Sequence, residues 1–536
     1  MTNRTFKAGM DREQVSFLPP RIEDYVERDN PVRAIEAFVC GLDLLELEFQ
    51  HAEYGGGPGQ PPYDPADLLK LYLYGYLNRV RSSRNLAREA ERNLEVIWLL
   101  KALRPGYRTI ANFRRDNSKA LKAANRKFVV LMRELGLVGA TLVAIDGAFF
   151  HGDASKASIK SRKRLEAELV AVDRDIEAYH REVEANDAQE QAQSSSDSGG
   201  DGGDMAEKVA ALMEKRARTE ADLKRLEQSG EAQLSTTDAD ARLLSKSGQV
   251  VSGYNVQIAV DEKHKLIVAS EVVNDGNDTG QLYEMAKAAK EALEVETLEV
   301  VADAGYFNGR ALKECEDNGI VAYVPSATRT GRLEAQGRFT HEDFAYDAAE
   351  NAYRCPAGAL MRPTKTPKIN GNRREAVYLS RKSACDACTL RARCLSPKAR
   401  TRAIYRWEHQ EVIDRHCERM KHATDRMKQR KSLVEHPFGT LKCRAGYRHF
   451  LVRGFNKVRG DWSLMALCYN FARVLTILGF EDFMAILARC AAAQAILLVL
   501  SLVTTIMSRV RASMADSVGG SAQKSALGRL YASPAA

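Results

Sequence analysis

The chain has 536 residues, 45% of them hydrophobic and 28% charged, with a net charge of +8. That length exceeds one average domain and calls for two to four units, and the apolar share excludes a wholly disordered chain. The modest positive excess permits a polyanionic partner without requiring one.

The opening stretch, MTNRTFKAGMDREQVSFLPP, has no apolar h-region, which argues against secretion. Ten cysteines in such a chain point to reduced thiols or metal ligation rather than a disulfide framework. Residues 1–135 read as a helical domain. Pro65 and Asp67 open a helix through LLKLYLYGYLNRV, a second runs along SSRNLAREAERNLEVIWLL, and a third starts near Thr109. Arg108, Arg114, Arg115, Lys119 and Lys122 around the third could dock on DNA. A packing or dimerisation module is the alternative.

Residues 136–155 bring a buried strand, Leu142 to Ile145, ending in Asp146. An insertion follows at 156–235. Leu165, Leu169, Val172, Ile176, Tyr179 and Val183 step by four and three, a heptad seam, and Val209 to Leu226 repeat it less cleanly. With the low-complexity linker QSSSDSGGDGGD between them, an antiparallel helical hairpin is expected. Residues 236–325 resume with strands Gly253 to Val260 and Lys265 to Val273, turning at Asp261 to Lys263. Asn277 and Asp278 are expected to cap a helix along LYEMAKAAKEALE. Leu298 to Ala302 then delivers Asp303, with Gly305 and Gly309 just beyond. Residues 326–402 form a Cys-rich insertion. The segment 403–480 carries a long basic helix beginning near Ile404, and 481–536 holds an apolar stretch and a tail read as disordered. Cys490 to Met507 is about long enough to span a bilayer, but Gln494, Ser501, Thr504 and Thr505 dilute it. A buried helix or a shared dimer face is the reading preferred.

Three carboxylates carry the chemistry: Asp146 in LVAIDGAFF, Asp303 in LEVVADAGYF and Glu435 in KSLVEHPFGTLK. The element order is strand, strand, strand, helix, strand, helix, strand, helix. The acids fall on the first strand, after the fourth and on the last helix, as in a ribonuclease H-like mixed-sheet core. Two Mg²⁺ ions about 3.5–4 Å apart can clamp an in-line displacement at phosphorus, which requires carboxylates from separate elements converging on one point. From Lys398 to Arg459 there are 17 Lys/Arg against 6 Asp/Glu, an excess larger than that of the whole chain. Arg430, Lys431, Lys442 and Arg444 around Glu435 are therefore candidates for phosphate contacts. Pro437 is expected to place Glu435 at a kink or helix boundary. Cys355, Cys385, Cys388 and Cys394, two of them as C-x-x-C, suit tetrahedral Zn²⁺; free thiols or a redox pair are the alternative. His151, His436 and His449 read as packing or surface residues; at His436, beside Glu435, contact with DNA or a metal-bound water is the alternative.

The blocks IDGAFF, GYNVQIAVD, VVADAGYF and VEHPFGTLK, with the earlier PYDPADLLKLYLYGYLN, resemble the bacterial insertion-sequence transposases of the DDE type. The resemblance spans roughly residues 15–475. It implies an N-terminal helical domain and a ribonuclease H-like core using Asp146, Asp303 and Glu435. It further implies Mg²⁺ (or Mn²⁺)-dependent cutting at terminal inverted repeats and joining to target DNA. The implied partner is double-stranded DNA, bound by a homodimer at the nucleoid in the bacterial cytoplasm, with no membrane. A related group carries a Tyr, an Arg and a Lys at fixed spacings around the Glu. Here Lys442 matches, Lys431 or Arg430 approximates the Arg, and Lys428 occupies the Tyr position. The rival reading is a catalytically silent DNA-binding protein derived from a transposase.

Overall fold

The computed structural model describes residues 21–53, 60–192, 202–246, 248–326, 335–371, 373–490 and 492. The linker core, most of the apolar segment 490–507 and the tail lie outside these residues. The chain falls into two compact units, residues 1–125 with 463–536, and 126–462.

The first unit is helical: α1 (Val32–Cys40), α2 (Pro65–Leu77), α3 (Ser83–Arg92), α4 (Leu94–Leu99), α5 (Tyr107–Asp116) and the start of α6 (Ser118–Glu134). Asp64 caps α2 by accepting from Ala66 N, and Pro65 fills the first turn, where a missing N–H costs nothing. Helix α2 is buried all round, as its continuous apolar run requires. Its one cation inside, Lys70, is neutralised by Glu36 at 2.9 Å and Asp67 at 3.3 Å. The two longer helices expected here are each broken. Asn93 ends α3 and caps α4 by accepting from Glu95 N and Val96 N, and Asn117 divides α5 from α6. Arg114 is buried, its guanidinium over the Tyr72 ring and donating to Tyr76 Oη, so it faces the core rather than a DNA surface.

The second unit is built on a six-stranded mixed sheet. Strand β1 (Leu142–His151) is followed by the inserted helices α7 (Arg162–Ala192) and α8 (Gly202–Ser229). These lie antiparallel: Arg162 pairs with Glu227 near one end and Arg216 with Asp173 further along. Leu165, Val172, Thr219 and Leu226 are buried along the seam, as the heptad spacing requires. A two-stranded ribbon, Ile159–Ser161 against Gln233–Ser235, closes the base of the hairpin.

The sheet continues with β2 (Arg242–Lys246), β3 (Gln249–Asp261), β4 (Ile267–Val273), helix α9 (Leu282–Leu293), β5 (Leu298–Val301), helix α10 (Gly309–Asp317) and β6 (Ile320–Tyr323). The strand order is β2-β3-β1-β5-β6, with β4 also pairing β3. β1 runs antiparallel to β3, from Val143 opposite Asp261 to His151 opposite Gly253, and parallel to β5. Leu142 to Ile145 are wholly buried, as expected of a central strand covered on both faces. At the hairpin the buried Asp261 carboxylate accepts from the Gly139, Ala140 and Lys263 amides.

A second sheet occupies the insertion: β7 (Ala345–Asp347), β8 (Ala352–Arg354), β9 (Leu360–Pro363), β10 (Lys368–Asn370), β11 (Arg373–Leu379) and β12 (Ala403–Trp407). Phe339, Phe344, Tyr353, Met361, Tyr378 and Ile404 form its core. The basic helix expected from Ile404 is thus displaced. Residues 403–407 pair with β11, and helix α11 begins only at Gln410 (Gln410–Lys421). Helix α12 (Thr424–Gly439) follows, then α13 (Phe455–Leu478). An aromatic cluster of Phe150, Tyr254, Phe438, Phe450 and Trp462 packs α12 and the first turns of α13 on one face of β1. Among the described residues no helix is long and apolar enough to cross a membrane.

Candidate active site

The last β1–β5 pair is Ala144 with Val301. Asp146 and Asp303 each stand two residues past it, so both open onto the gap where β5 ends and β1 continues, paired only with β3. Asp146 is mostly buried, with Arg430 Nη1 of α12 at 3.9 Å from its Oδ1. Burial pushes its carboxyl up to about 6; Arg430 opposes that shift, and the charge of Asp303 adds to it. Asp303 Oδ1 accepts from Gly305 N at 2.8 Å and caps the turn Ala304–Tyr306.

Behind this pair lies a polar cluster on β3. In the register of β1 with β3, Gly147 stands opposite Gln257 and Phe149 opposite Asn255, placing these side chains on one face. Asn255 and Gln257 are fully buried and both donate to Asp278 Oδ1, at 2.8 and 2.7 Å. Tyr306 Oη donates to Gln257 Oε1, and burial with the charges of Asp278, Asp146 and Asp303 keeps that phenol protonated. Lys246, at the tip of the β2–β3 hairpin, pairs with Asp278 at 3.3 Å. Burial works against its charge, but Asp278, Asp303 and Asp146 outweigh burial and raise its pKa.

Asp278, read from the sequence as a helix cap, therefore belongs instead to this buried polar cluster. It does not cap α9, whose N-cap position is Gln281 with no side-chain bond. The available signal lay in GYNVQIAV, where Asn255 and Gln257 alternate with Tyr254, Val256 and Ile258. Period two puts a polar pair on one face of an otherwise apolar strand.

Glu435 is placed differently. Leu433, Val434 and Pro437 form the buried face of α12, and Glu435 points to the exposed side, 3.8 Å from Lys431 Nζ. The helix does not break at Pro437. It runs on to Gly439 and widens into a π-helical turn, Thr440–Arg444, as a missing N–H permits. The four candidate phosphate-binding cations divide into two pairs. Lys431 and Arg444 are exposed, whereas Arg430 turns inward to Asp146. Lys442 also turns inward: its ammonium donates to Phe149 O at 2.7 Å and lies 4.4 Å from the Phe150 ring. Burial brings its pKa down to about 8 against the pull of Asp146.

Cys355, Cys385, Cys388 and Cys394 line one cavity of about 360 Å³ with Phe339, Met361 and Leu390. Ala359 N donates to Cys355 Sγ at 3.3 Å, across a turn closed by Gly358 N on Cys355 O at 2.7 Å. Burial raises the Cys394 thiol; Arg402 opposes that rise, and the other three sulfurs add to it. Among the described residues, however, no three His, Cys, Asp or Glu side chains converge closely enough to hold a metal ion, here or at Asp146.

Two family models match the chain: Transposase DDE domain over residues 354–475 and Transposase domain (DUF772) over 20–116. The first span contains Glu435 and all four cysteines, Cys355, Cys385, Cys388 and Cys394; Asp146 and Asp303 lie outside both. Among solved structures, a piggyBac transposase synaptic complex with hairpin DNA is similar at 8% identity over 86% of this chain and 79% of that one. Its TM-score is 0.29, a likeness that carries no argument. No curated protein matches. Over these two spans the chain is similar to transposases, and in kind to the insertion-sequence transposases of the DDE type.

Proposed function

We propose that the protein is a transposase that cuts DNA at the terminal inverted repeats of an insertion sequence and joins the freed 3′ ends to target DNA. The core would then be ribonuclease H-like, which the order β4-β3-β1-β5-β6, antiparallel then parallel, supports. The observation that carries the reading is the meeting of Asp146 and Asp303 at the open end of β5, with Arg430 and Lys246 beside them. Hard carboxylate oxygens suit Mg²⁺ or Mn²⁺, and the buried Asn255 Oδ1, which has no hydrogen-bond partner, lies in the same region. Asp146 and Asp303 would hold the ions, with Glu435 as third ligand once its Lys431 pair is released. When bound, such ions stabilise the attacking and leaving oxygens of a phosphodiester displacement.

The chain's own groups have separable roles in this reading. Lys431 and Arg444 grip phosphates of the double-stranded DNA, which positions the strand without reading its sequence. Arg430 and Lys442 offset the charge of Asp146 from the protein side. The four cysteines hold one structural Zn²⁺; the N–H···S bond on Cys355 and the shared cavity support this. The protein acts as a homodimer on nucleoid DNA in the cytoplasm. The exposed position of Glu435 favours the second reading, a transposase-derived DNA-binding protein without cleavage. Incubating the protein and Mg²⁺ with DNA carrying the repeats that flank the gene decides between them. Cleavage lost in Asp146→Asn and Asp303→Asn supports the first; no cleavage by the wild type supports the second.

A further inference from the structure

We infer that Asp278 is a further carboxylate of the divalent-cation site, facing Asp146 and Asp303 across the gap kept open by Gly147 and Gly305. The inference rests on the cation-dependent reading of Asp146 and Asp303 given above. Its geometric basis is the pair of glycines that follow those two acids. A Cβ on Gly147 would stand 2.7 Å from Asp278 Oδ1 and 3.0 Å from Asn255 Oδ1. A Cβ on Gly305 would stand 2.9 Å from Asp303 Oδ1 and 3.8 Å from Asp278 Oδ2. One oxygen of Asp278 therefore looks toward the residue beside Asp146, and the other toward Asp303. Side chains at 146 and 147 leave opposite faces of β1, and among the described residues the three carboxylates do not yet converge; β5 has ended by this point, so a bound cation would draw them together there.

Two further observations point to a cation rather than a merely structural acid. Asn255 is fully buried, and its Oδ1 has no hydrogen-bond partner although it faces the same gap as Asp278. An unpartnered buried oxygen is costly, and a neutral amide oxygen beside carboxylates is the donor mixture that hard divalent cations take. Second, the group that stands among the three acids here is itself a cation. Lys246 pairs with Asp278, feels the charges of Asp303 and Asp146, and projects from a hairpin tip with its side chain 47% exposed, free to withdraw.

The test is calorimetric titration of the DNA-free, full-length protein with Mn²⁺ alone. Asp278→Asn keeps the acceptor for Asn255 and Gln257 while removing the charge; it is expected to weaken Mn²⁺ binding at least tenfold, as Asp146→Asn does. Asp425→Asn, a fully exposed acid on α12, serves as control and should bind like the wild type. Lys246→Met removes the competing cation and should tighten binding severalfold. If Asp146→Asn loses Mn²⁺ and Asp278→Asn does not, the inference fails and the cation reading stands. If neither variant changes binding, or the wild type binds no Mn²⁺, both fail. Should Asp278→Asn not fold, Asp278→Glu decides, since it keeps the charge and the acceptor but moves the oxygens by one methylene: a severalfold change in Mn²⁺ affinity supports the assignment, and unchanged affinity overturns it. Asp278-dependent Mn²⁺ binding by a wild type that cuts no DNA would retain the inference and sink the cleavage reading.

Discussion

Arg430 Nη1 stands 3.9 Å from Asp146 Oδ1, with side-chain exposures of 19% and 21%, and this pair joins helix α12 to the central strand. The guanidinium does not fully compensate the buried carboxylate, because Asp146 still titrates near 6 rather than at its ordinary value of 3.8. A raised acid pKa means that the native state binds more protons than the unfolded chain between those two values. Native stability therefore falls as pH rises through that window.

The first prediction follows from that sign. In metal-free buffer, the stability of Asp146→Asn relative to wild type should move in the variant's favour between pH 4 and about 6.5, by on the order of 2–3 kcal/mol, and then level off. Any constant loss from leaving Arg430 unpaired cancels in the comparison. Urea unfolding of both proteins across pH measures it. A gap that does not change with pH means Asp146 titrates normally and its site is not strained.

Two glycines give an ordered pair of expectations. A Cβ on Gly253 would collide with Phe150 O and stand 2.5 Å from Gly152 N, both backbone atoms locked in the β1–β3 register. Gly253→Ala should cost more than about 4 kcal/mol or prevent folding. At Gly147 the obstacles are the side chains of Gln257, Asp278 and Asn255, which can shift, so Gly147→Ala should cost about 1–3 kcal/mol while displacing Asp278. Denaturant midpoints that reverse this order would contradict the packing described around β1.

The parts of this fold legible in the sequence are those written as periodicity or as strong local punctuation. The heptad seam from Leu165 forecast the α7–α8 pair, and the apolar run before Asp146 forecast a buried strand. What failed were decisions made by tertiary contact. Residues 403–407 are too short to declare a strand alone and become one only by pairing with β11. Asp278 has the local chemistry of a helix cap, but buried amides on β3 claim it first. Glu435 was placed by its motif. Nothing local reports that Leu433, Val434 and Pro437 turn it to the solvent side. Pro437 itself was read as a breaker, yet the chain absorbs it by widening into a π turn.

The cysteine insertion should carry one Zn²⁺ per chain, measurable by metal analysis of purified protein. Cys388→Ser should abolish that zinc and destabilise residues 340–400, detected as faster amide exchange there, while Mn²⁺ binding at Asp146 is unaffected. Its core holds six buried residues, so a metal site would add a substantial share of its folding energy. Zinc-free protein with four freely titrating thiols would refute the assignment.

The final prediction separates cations that sequence alone treats as equivalent. Each Lys or Arg that neutralises a DNA phosphate releases counterions, so log affinity against log salt should lose about 0.9 of slope per contact removed. Lys431 and Arg444 are exposed on α12 and the π turn, and replacing either by Ala should shallow the slope by about that amount. Binding to repeat and random DNA should weaken alike, because phosphate contacts carry no sequence information. Lys442 is committed elsewhere, its ammonium on Phe149 O and over the Phe150 ring, and Arg430 is committed to Asp146. Lys442→Ala and Arg430→Ala should leave the slope unchanged and reduce stability or cleavage instead. A salt titration of the wild type and the four variants decides the matter. A slope that falls for Lys442→Ala as much as for Arg444→Ala would mean that the ammonium leaves Phe149 to reach DNA. The inward position of Lys442 would then belong to the DNA-free state alone.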